Sequence, residues 1–195
     1  MECLIGLNWL NDEVINFMMG MLQQRELRRN PGKPRCHFFN TFFYNSLYRN
    51  SRKFDYRKVR RWTGPKLGYS ILDCEKVVIP IHQGMHWVLA VINILEKKIQ
   101  FFDSMGGHDK LSLAHLAQYI TAEYMDKRSE IVNGSSWARE IPRDIPRQDN
   151  CSDCGVFMVA YAECTGRNCV FDFDQLRMPI MRRRFVAQIL KGLVP

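Results

Sequence analysis

Apolar positions recur along the chain at helical spacing in several segments. The first such segment follows a capping residue, Asn11 or Asp12, and predicts a helix with its apolar face on Val14, Phe17, Met18, Met21 and Leu22. The same reasoning predicts further helices over residues 38–48, 111–125, 155–164 and 185–193. The helix over 155–164 is almost entirely apolar, so we expect it to be buried on most sides.

Three apolar runs bounded by turn residues predict neighbouring strands, Lys76 to Ile81, His86 to Leu95 and Lys98 to Asp103. The short connection over residues 93–97 joins the last two as a hairpin. Two prolines, Pro142 and Pro146, keep the residues before them out of the helical region, so 141–146 is expected to be extended. No repeat or linker interrupts this order, and the length fits one domain over residues 1–195.

Composition and charge narrow the class of protein. The 195 residues are 46% hydrophobic without an apolar run long enough to span a bilayer, so no membrane partner is expected. The net charge of +8 favours an acidic partner. Its arginine clusters, over 25–35 and 182–184, are interpreted as segment ends and solvated helix faces. No basic strand with interleaved aromatic residues is present, which disfavours nucleic acid.

The 7 cysteines are an odd number in a chain that shows no secretory signal, which argues against a disulfide framework and for a reducing compartment. We expect Cys74, Cys164 and Cys169 to be core residues. Cys154 is different because it falls at the predicted start of the buried helix, where the helix dipole stabilises a thiolate. Gly155 follows it and leaves room for a substrate backbone.

A reactive thiol needs a base, and His86 is the candidate because it stands beside Trp87 at the head of a predicted strand. Asp103, at the end of the neighbouring strand, can orient the imidazole. Gln148 lies in the loop before Cys154 and can donate to an oxyanion together with the Cys154 N–H. Taken singly, His86 is more often a structural residue and Gln148 a solvated one.

Six segments in order along the chain together resemble the Ulp/sentrin-specific protease family. They are Leu-Asn-Trp-Leu-Asn-Asp (7–12), Phe-Asn-Thr-Phe-Phe (39–43), Arg-Arg-Trp-Thr (60–63), Ile-Pro-Ile-His-Gln-Gly-Met-His-Trp (79–87), Phe-Asp-Ser-Met-Gly-Gly (102–107) and Gln-Asp-Asn-Cys-Ser-Asp-Cys-Gly (148–155). The resemblance implies an α+β, papain-like cysteine protease fold, with a mixed central sheet flanked by helices and the catalytic cysteine at a helix N-terminus. It also implies cleavage after the Gly-Gly terminus of SUMO, which matures SUMO precursors and releases SUMO from target lysines.

The family's residue roles transfer by motif to numbered positions of this sequence. The catalytic roles correspond to Cys154, His86, Asp103 and Gln148. Two tryptophans, Trp9 and Trp87, would cover the diglycine in a tunnel that excludes side chains. The docking surface for the modifier would consist of Asp12, Phe42, Arg61, Trp62 and His82. From the residues alone, Asp12 would be interpreted as a helix cap and Arg61 as a solvated cation. Asp12 can have both roles, because a capping carboxylate keeps a lone pair that can accept from an arginine of the modifier.

The resemblance further implies a monomer without cofactor or metal, with SUMO precursors and SUMO-conjugated proteins as partners, in the nucleus or cytoplasm and by preference the nucleus. Two alternatives stay open: a protease for another modifier such as NEDD8, and a silent SUMO-binding module.

Two features depart from the family pattern. Family members usually carry more chain before the Trp9 segment, so the N-terminal edge of the domain is expected to be trimmed.

The second departure is Cys151, which forms a Cys-x-x-Cys sequence with Cys154. A zinc site or thioredoxin-like chemistry is the natural alternative, but a second ligand pair at suitable spacing and the thioredoxin context are both missing from the sequence. We hypothesise instead that Cys151 protects Cys154 by forming a reversible disulfide under oxidant.

Overall fold

A computed structural model describes residues 2–48 and 54–194. Its helices are α1 (Asp12–Arg29), α2 (Phe42–Tyr48), α3 (Lys110–Arg128), α4 (Cys154–Arg167) and α5 (Met178–Lys191). Its strands are β1 (Cys36–Phe38), β2 (Lys76–His82), β3 (Trp87–Asn93), β4 (Lys98–Phe102) and β5 (Ala138–Glu140). Within this described part of the chain, no helix is both long enough and apolar enough to cross a membrane.

The strands form one mixed sheet in the order β1-β2-β3-β4-β5. The central pairs β2/β3 and β3/β4 are antiparallel, and the outer pairs β1/β2 and β4/β5 are parallel. The hairpin predicted from residues 86–103 is therefore confirmed. Each outer pair joins strands that lie far apart in the sequence, as parallel pairing requires. The sheet is mixed because it combines these parallel pairs with the antiparallel central pairs.

Strand β3 lies at the centre of the core, and all of its residues are buried. Leu89 and Val91 pack with α1, α4 and α5 on one face of the sheet. Val88, Ala90 and Ile92 pack with α2 and α3 on the other face. Because successive side chains of a strand point to opposite faces, a strand that is buried along its whole length requires helices on both sides of the sheet. The result is a three-layer α+β architecture, which confirms the predicted fold class.

The predicted helix over 38–48 was wrong at its start. Residues 36–38 form β1, which pairs with β2, and the helix begins only at Phe42. A strand of three residues carries too little alternation to be recognised, and its hydrogen-bonding partner lies far along the chain. Strand β5 was missed for the same reason. The final helix was predicted too short, because α5 already begins at Met178.

The interpretation of the arginine clusters as solvated was also wrong in part. Arg25 and Arg182 are only 2% and 3% exposed. Arg25 lies 3.4 Å from the buried carboxylate of Glu163, and Arg182 is paired with Asp153. Sequence composition predicts exposure for arginine, but a buried carboxylate with hydrogen bonds compensates the charge.

The cysteines expected in the core divide into three environments. Cys74 is buried, Cys164 is half-buried and Cys169 is exposed. Cys169 lies outside the core because α4 ends at Arg167 and its C-cap residue, Asn168, adopts the left-handed conformation with φ of 54°. The chain therefore turns away from the helix axis just before this cysteine.

Candidate active site

Cys154 is the first residue of α4, and the residue is 3% exposed. Helix α4 runs through the core behind it, so the positive end of the helix dipole and the free N–H groups of the first turn meet at this thiol. Gly155 is required here because a Cβ on it would lie 2.9 Å from Leu10 Cβ. The absence of a side chain at 155 thus lets the N-terminal segment pass close to the thiol.

His86 and Asp103 flank the two strands of the β3/β4 hairpin. His86 directly precedes β3 and Asp103 directly follows β4, so the antiparallel pairing brings them to the same end of the sheet. The His86 Nε2 atom lies 2.6 Å from Asp103 Oδ1. Since Asp103 engages Nε2, the Nδ1 atom is left free to interact with the Cys154 thiol, which is one of the groups that favour the imidazolium form of His86.

The electrostatics of this pair favour the imidazolium form of His86. Burial lowers the pKa of His86, but hydrogen bonds and charges from Asp103 and Cys154 outweigh it and raise the pKa to about 9. Burial likewise opposes ionisation of Asp103, yet its hydrogen bonds with His86, Met105 and Gly107 hold its pKa below the usual range. The site therefore stabilises a charged imidazolium beside the thiol.

Backbone donors fix the Asp103 carboxylate. The Met105 N–H donates to Oδ1 at 2.8 Å, and the Gly107 N–H donates to Oδ2 at 3.0 Å. A side chain at position 107 would collide with Oδ2, so only glycine permits this approach. The carboxylate is thereby locked in the orientation that holds His86, as expected for the acid that fixes an imidazole tautomer.

Gln148 is held by the residue that follows Asp103. The Gln148 N–H donates to the Ser104 carbonyl at 3.0 Å, and the Ser104 hydroxyl donates to Gln148 Oε1 at 2.6 Å. One N–H of the carboxamide donates to the Asn150 carbonyl. A carboxamide nitrogen carries two hydrogens, so Gln148 keeps a second donor for a ligand while its orientation is set by Ser104.

The two candidate tunnel tryptophans line one cavity but differ in exposure. Trp87 is 6% exposed, and its Nε1–H donates to the Leu10 carbonyl at 3.0 Å, whereas Trp9 is 47% exposed. His82 lies against the Trp87 ring at 4.2 Å between centroids. The cavity has a volume of about 380 Å³, and its lining includes Trp9, Trp87, Asp12, Phe42 and His82. The structure thus brings these five candidate binding residues together.

Phe42 connects this cavity to a second one of about 510 Å³, which Trp62 also lines. Trp62 is half-buried and packs edge-on against Phe43 at 5.8 Å between centroids. Arg61 is its exposed neighbour. Of the candidate docking residues, Asp12, Phe42 and His82 therefore line the first cavity, and Phe42 and Trp62 line the second.

At the start of α1 the structure distinguishes between the two capping candidates. The Asn11 side chain accepts the Val14 N–H at 3.0 Å and is the N-cap. Asp12 is the first helical residue, and its carboxylate is not needed for the cap. It faces His82, whose pKa is lowered by burial and raised in part by the Asp12 charge. Asp12 is thus available to a cation that enters the cavity.

Sequence reasoning missed several residues that shape the site. Ser104 orients Gln148, and the Leu10 carbonyl anchors Trp87. Arg182 comes from α5 and binds the residue next to the thiol. Ser104 had a detectable signal, because it directly follows Asp103. Arg182 had no such sequence signal, since only the tertiary fold brings α5 to the loop that precedes Cys154.

Cys151 is exposed, in contrast to the buried Cys154, and the proposed disulfide between them stays a prediction. Within residues 2–48 and 54–194, no group of three or more His, Cys, Asp or Glu side chains is arranged to hold a metal ion. The His86 imidazole and the Asp103 carboxylate beside the thiol are committed to each other, so the chemistry that they offer is nucleophilic attack assisted by proton transfer.

Comparison with known proteins places these residues in a family. Residues 8–192 match the sequence model of the Ulp1 protease family, C-terminal catalytic domain. The chain is 44% identical over 192 residues to ubiquitin-like-specific protease 1A of Arabidopsis thaliana, and 37% identical over 191 residues to human sentrin-specific protease 2. These alignments cover 98% and 97% of the chain but only 38% and 31% of the two relatives. The chain thus spans about a third of their length.

A solved structure of the C-terminal Ulp1 protease domain in complex with Smt3, the yeast ortholog of SUMO, shares the fold. It superimposes with a TM-score of 0.81 at 28% identity and covers 98% of this chain and 80% of that chain. The agreement in fold extends over both faces of the sheet, including the elements that carry the candidate site.

Proposed function

The chain belongs to the Ulp1 protease family, and we propose that it is a cysteine protease that cleaves after the C-terminal Gly-Gly of SUMO. Its substrates are SUMO precursors, which it matures, and SUMO-conjugated proteins, from which it releases SUMO at the target lysine. The names of the relatives and the Smt3-bound neighbour support this substrate class. We further propose that it acts as a monomer in the nucleus or cytoplasm.

The proposed reaction uses the candidate residues in turn. The Cys154 thiolate attacks the carbonyl carbon of the terminal glycine, and the resulting oxyanion accepts hydrogen bonds from the Cys154 N–H and from Gln148 Nε2. The His86 imidazolium then gives its proton to the departing lysine amine, which leaves a thioester. His86, now neutral, takes a proton from a water molecule as that water attacks the thioester carbonyl. The Cys154 thiolate then leaves, which restores the thiolate–imidazolium pair and releases SUMO with a free C-terminal carboxylate, whose proton passes to solvent.

Asp103 fixes the orientation of the His86 ring through these proton transfers. Its carboxylate holds His86 Nε2 at 2.6 Å, so Nδ1 stays directed to the thiol and the leaving group. Because the pKa of His86 is raised to about 9, the imidazolium is available as an acid at neutral pH. This arrangement next to a buried helix N-terminus is the observation that carries the proposal.

The cavity between Trp9 and Trp87 supports selectivity for glycine. This cavity of about 380 Å³, lined by ten of the described residues, accommodates an extended backbone, while branched side chains would meet the indole rings. Asp12 gives this otherwise basic chain a local negative charge for a modifier cation. The net charge of +8 would in turn accelerate encounter with an acidic modifier.

The test is hydrolysis of SUMO carrying a C-terminal fluorogenic amide, beside the equivalent NEDD8 and ubiquitin substrates. We expect turnover of SUMO alone, reduced to background in Cys154→Ser with SUMO binding retained. Cys169→Ser is the matched control, because it removes an exposed thiol outside the site. Turnover of NEDD8 instead would favour the alternative modifier, and unchanged turnover in Cys154→Ser would refute the assignment of the nucleophile.

A further inference from the structure

Arg182 joins three separate parts of the chain at the residue next to the thiol. It lies in α5 and is 3% exposed. Its Nε and Nη2 atoms donate to Asp153 Oδ1 at 2.9 and 2.6 Å, and Nη2 also donates to the Ser152 carbonyl at 3.1 Å. Its Nη1 donates to the Cys3 carbonyl at 3.0 Å and the Asn8 carbonyl at 2.8 Å. The guanidinium therefore ties both the N-terminal segment and the loop of the thiol to α5.

The partner of this arginine, Asp153, occupies the N-cap of α4 without capping it. An aspartate at this position usually accepts a hydrogen bond from the first helical turn, but the Asp153 side chain makes none. Its second oxygen accepts instead from Asn150 Nδ2 at 2.8 Å and Gln175 Nε2 at 2.7 Å. The carboxylate is thus turned away, and the N–H groups that follow it remain open to a substrate.

The charge of Asp153 matters as much as its direction. Burial opposes its ionisation, but hydrogen bonds from Asn150, Arg182 and Gln175 outweigh burial and keep its pKa below the usual range. An ionised carboxylate one residue from a thiolate would repel it through a low-dielectric interior. Arg182 supplies the compensating positive charge, so the dipole of α4 acts on Cys154 without opposition.

We propose that Arg182 is a positioning residue that holds the Asp153 carboxylate away from the N-terminus of α4 and cancels its charge, so that a thiolate and an oxyanion can form there. Through the Asn8 carbonyl it also fixes the segment that carries Trp9. The consequence for turnover rests on the proposed protease function. The consequence for ionisation of Cys154 does not, and it can be measured without substrate.

The measurement is the rate of alkylation by iodoacetamide between pH 4 and pH 10, resolved for each cysteine by peptide mass spectrometry. The charged groups facing Cys154 are His86, Asp103 and the Asp153–Arg182 pair, and only the last pair is changed. We expect the midpoint of the Cys154 profile to rise by about one pH unit in Arg182→Met and to fall in Asp153→Asn. In the double variant it should return to within a few tenths of a unit of the unchanged protein.

The exposed thiol of Cys169 is an internal control, and its profile should be the same in all four proteins. A purely structural role for Arg182 would reduce thermal stability and leave the Cys154 midpoints alike, and that result would overturn the proposal. If Arg182→Met does not fold, the Asp153→Asn variant still decides, because its midpoint must fall.

Turnover of the fluorogenic SUMO substrate tests the second part of the proposal. Arg182→Lys keeps the charge but cannot reach all four acceptors of the guanidinium, so we expect a normal alkylation midpoint with a raised KM from a displaced Trp9 segment. An unchanged KM would refute the tether to this segment. If no SUMO turnover is found in any variant while the alkylation midpoints shift as expected, the proposed function fails and the role of Arg182 in thiol ionisation stands.

Discussion

Replacement of Asp103 by asparagine tests the electrostatic account of the candidate site. The asparagine keeps an oxygen for one of the two backbone donors, but it removes the negative charge 2.6 Å from His86 Nε2. The pKa of His86 is about 9 in the intact pair. Without the carboxylate, only Cys154 is left to oppose the effect of burial, so the pKa of His86 should fall towards its ordinary value of about 6.5.

The size of the effect follows from this change in pKa. A fall of about 2.5 units corresponds to roughly 3 kcal/mol of lost stabilisation of the imidazolium. At pH 7.5 the protonated fraction of His86 would drop from nearly complete to about one tenth, so kcat/KM should fall at least about 10-fold from protonation alone. Loss of the fixed ring orientation should reduce it further.

The assay is kcat/KM for the fluorogenic SUMO substrate between pH 5 and pH 10. In the unchanged protein the alkaline limb should lie near pH 9, where His86 loses its proton. In Asp103→Asn that limb should move down by more than one pH unit. Asp144→Asn is the matched control, because it removes an exposed carboxylate and should leave the profile unchanged. An alkaline limb at the same pH in Asp103→Asn would refute the reasoning.

The same pair predicts a dependence of stability on pH. The folded pKa of His86 is raised above its unfolded value of about 6.5, so its contribution to stability is complete below that pH and is lost as pH rises towards 9. Urea unfolding should therefore show a decline in the free energy of unfolding over this window that is absent in Asp103→Asn. Equal declines in both proteins would contradict the raised pKa.

Two further substitutions probe the surroundings of the thiol. Gln148→Ala should lower kcat about 100-fold with little change in KM. Ser104→Ala, which releases the carboxamide oxygen of Gln148, should lower kcat by a smaller factor of about 10. Equal kcat values for Gln148→Ala and the unchanged protein would remove Gln148 from the oxyanion site. Gly155→Ala places a Cβ 2.9 Å from Leu10 Cβ and should cost about 1–3 kcal/mol in urea unfolding while raising KM; an unaltered stability and KM would show that the segment does not pass this close.

The hydrophobic pattern predicted most of the fold because its strongest elements are local. Helices α1 and α3 carry an apolar pattern at helical spacing, and α4 and the strands of the β3/β4 hairpin are apolar runs long enough to be recognised. Strands β1 and β5 do not, since each is three residues long and is defined by a partner far along the chain. Their positions follow from tertiary pairing rather than from local sequence.

The candidate site divides in the same way. Cys154, His86 and Asp103 stand at ends of elements that periodicity locates, so chemistry and spacing could nominate them, and the family motifs supplied their roles. The buried position of Arg182 could not be foreseen, because its carboxylate partner lies in another part of the chain and composition favours exposure for an arginine. Buried ion pairs of this kind are determined by the fold that surrounds them.

Covalent capture of the thiol by a modifier tests the central claim most directly. The chain is incubated with SUMO, NEDD8 and ubiquitin probes that each carry a C-terminal vinyl sulfone, and the adduct is located by peptide mass spectrometry. We predict an adduct with the SUMO probe at Cys154, abolished in Cys154→Ser and retained in Cys151→Ser. Capture at another cysteine, or capture by the other probes without SUMO, would contradict the account.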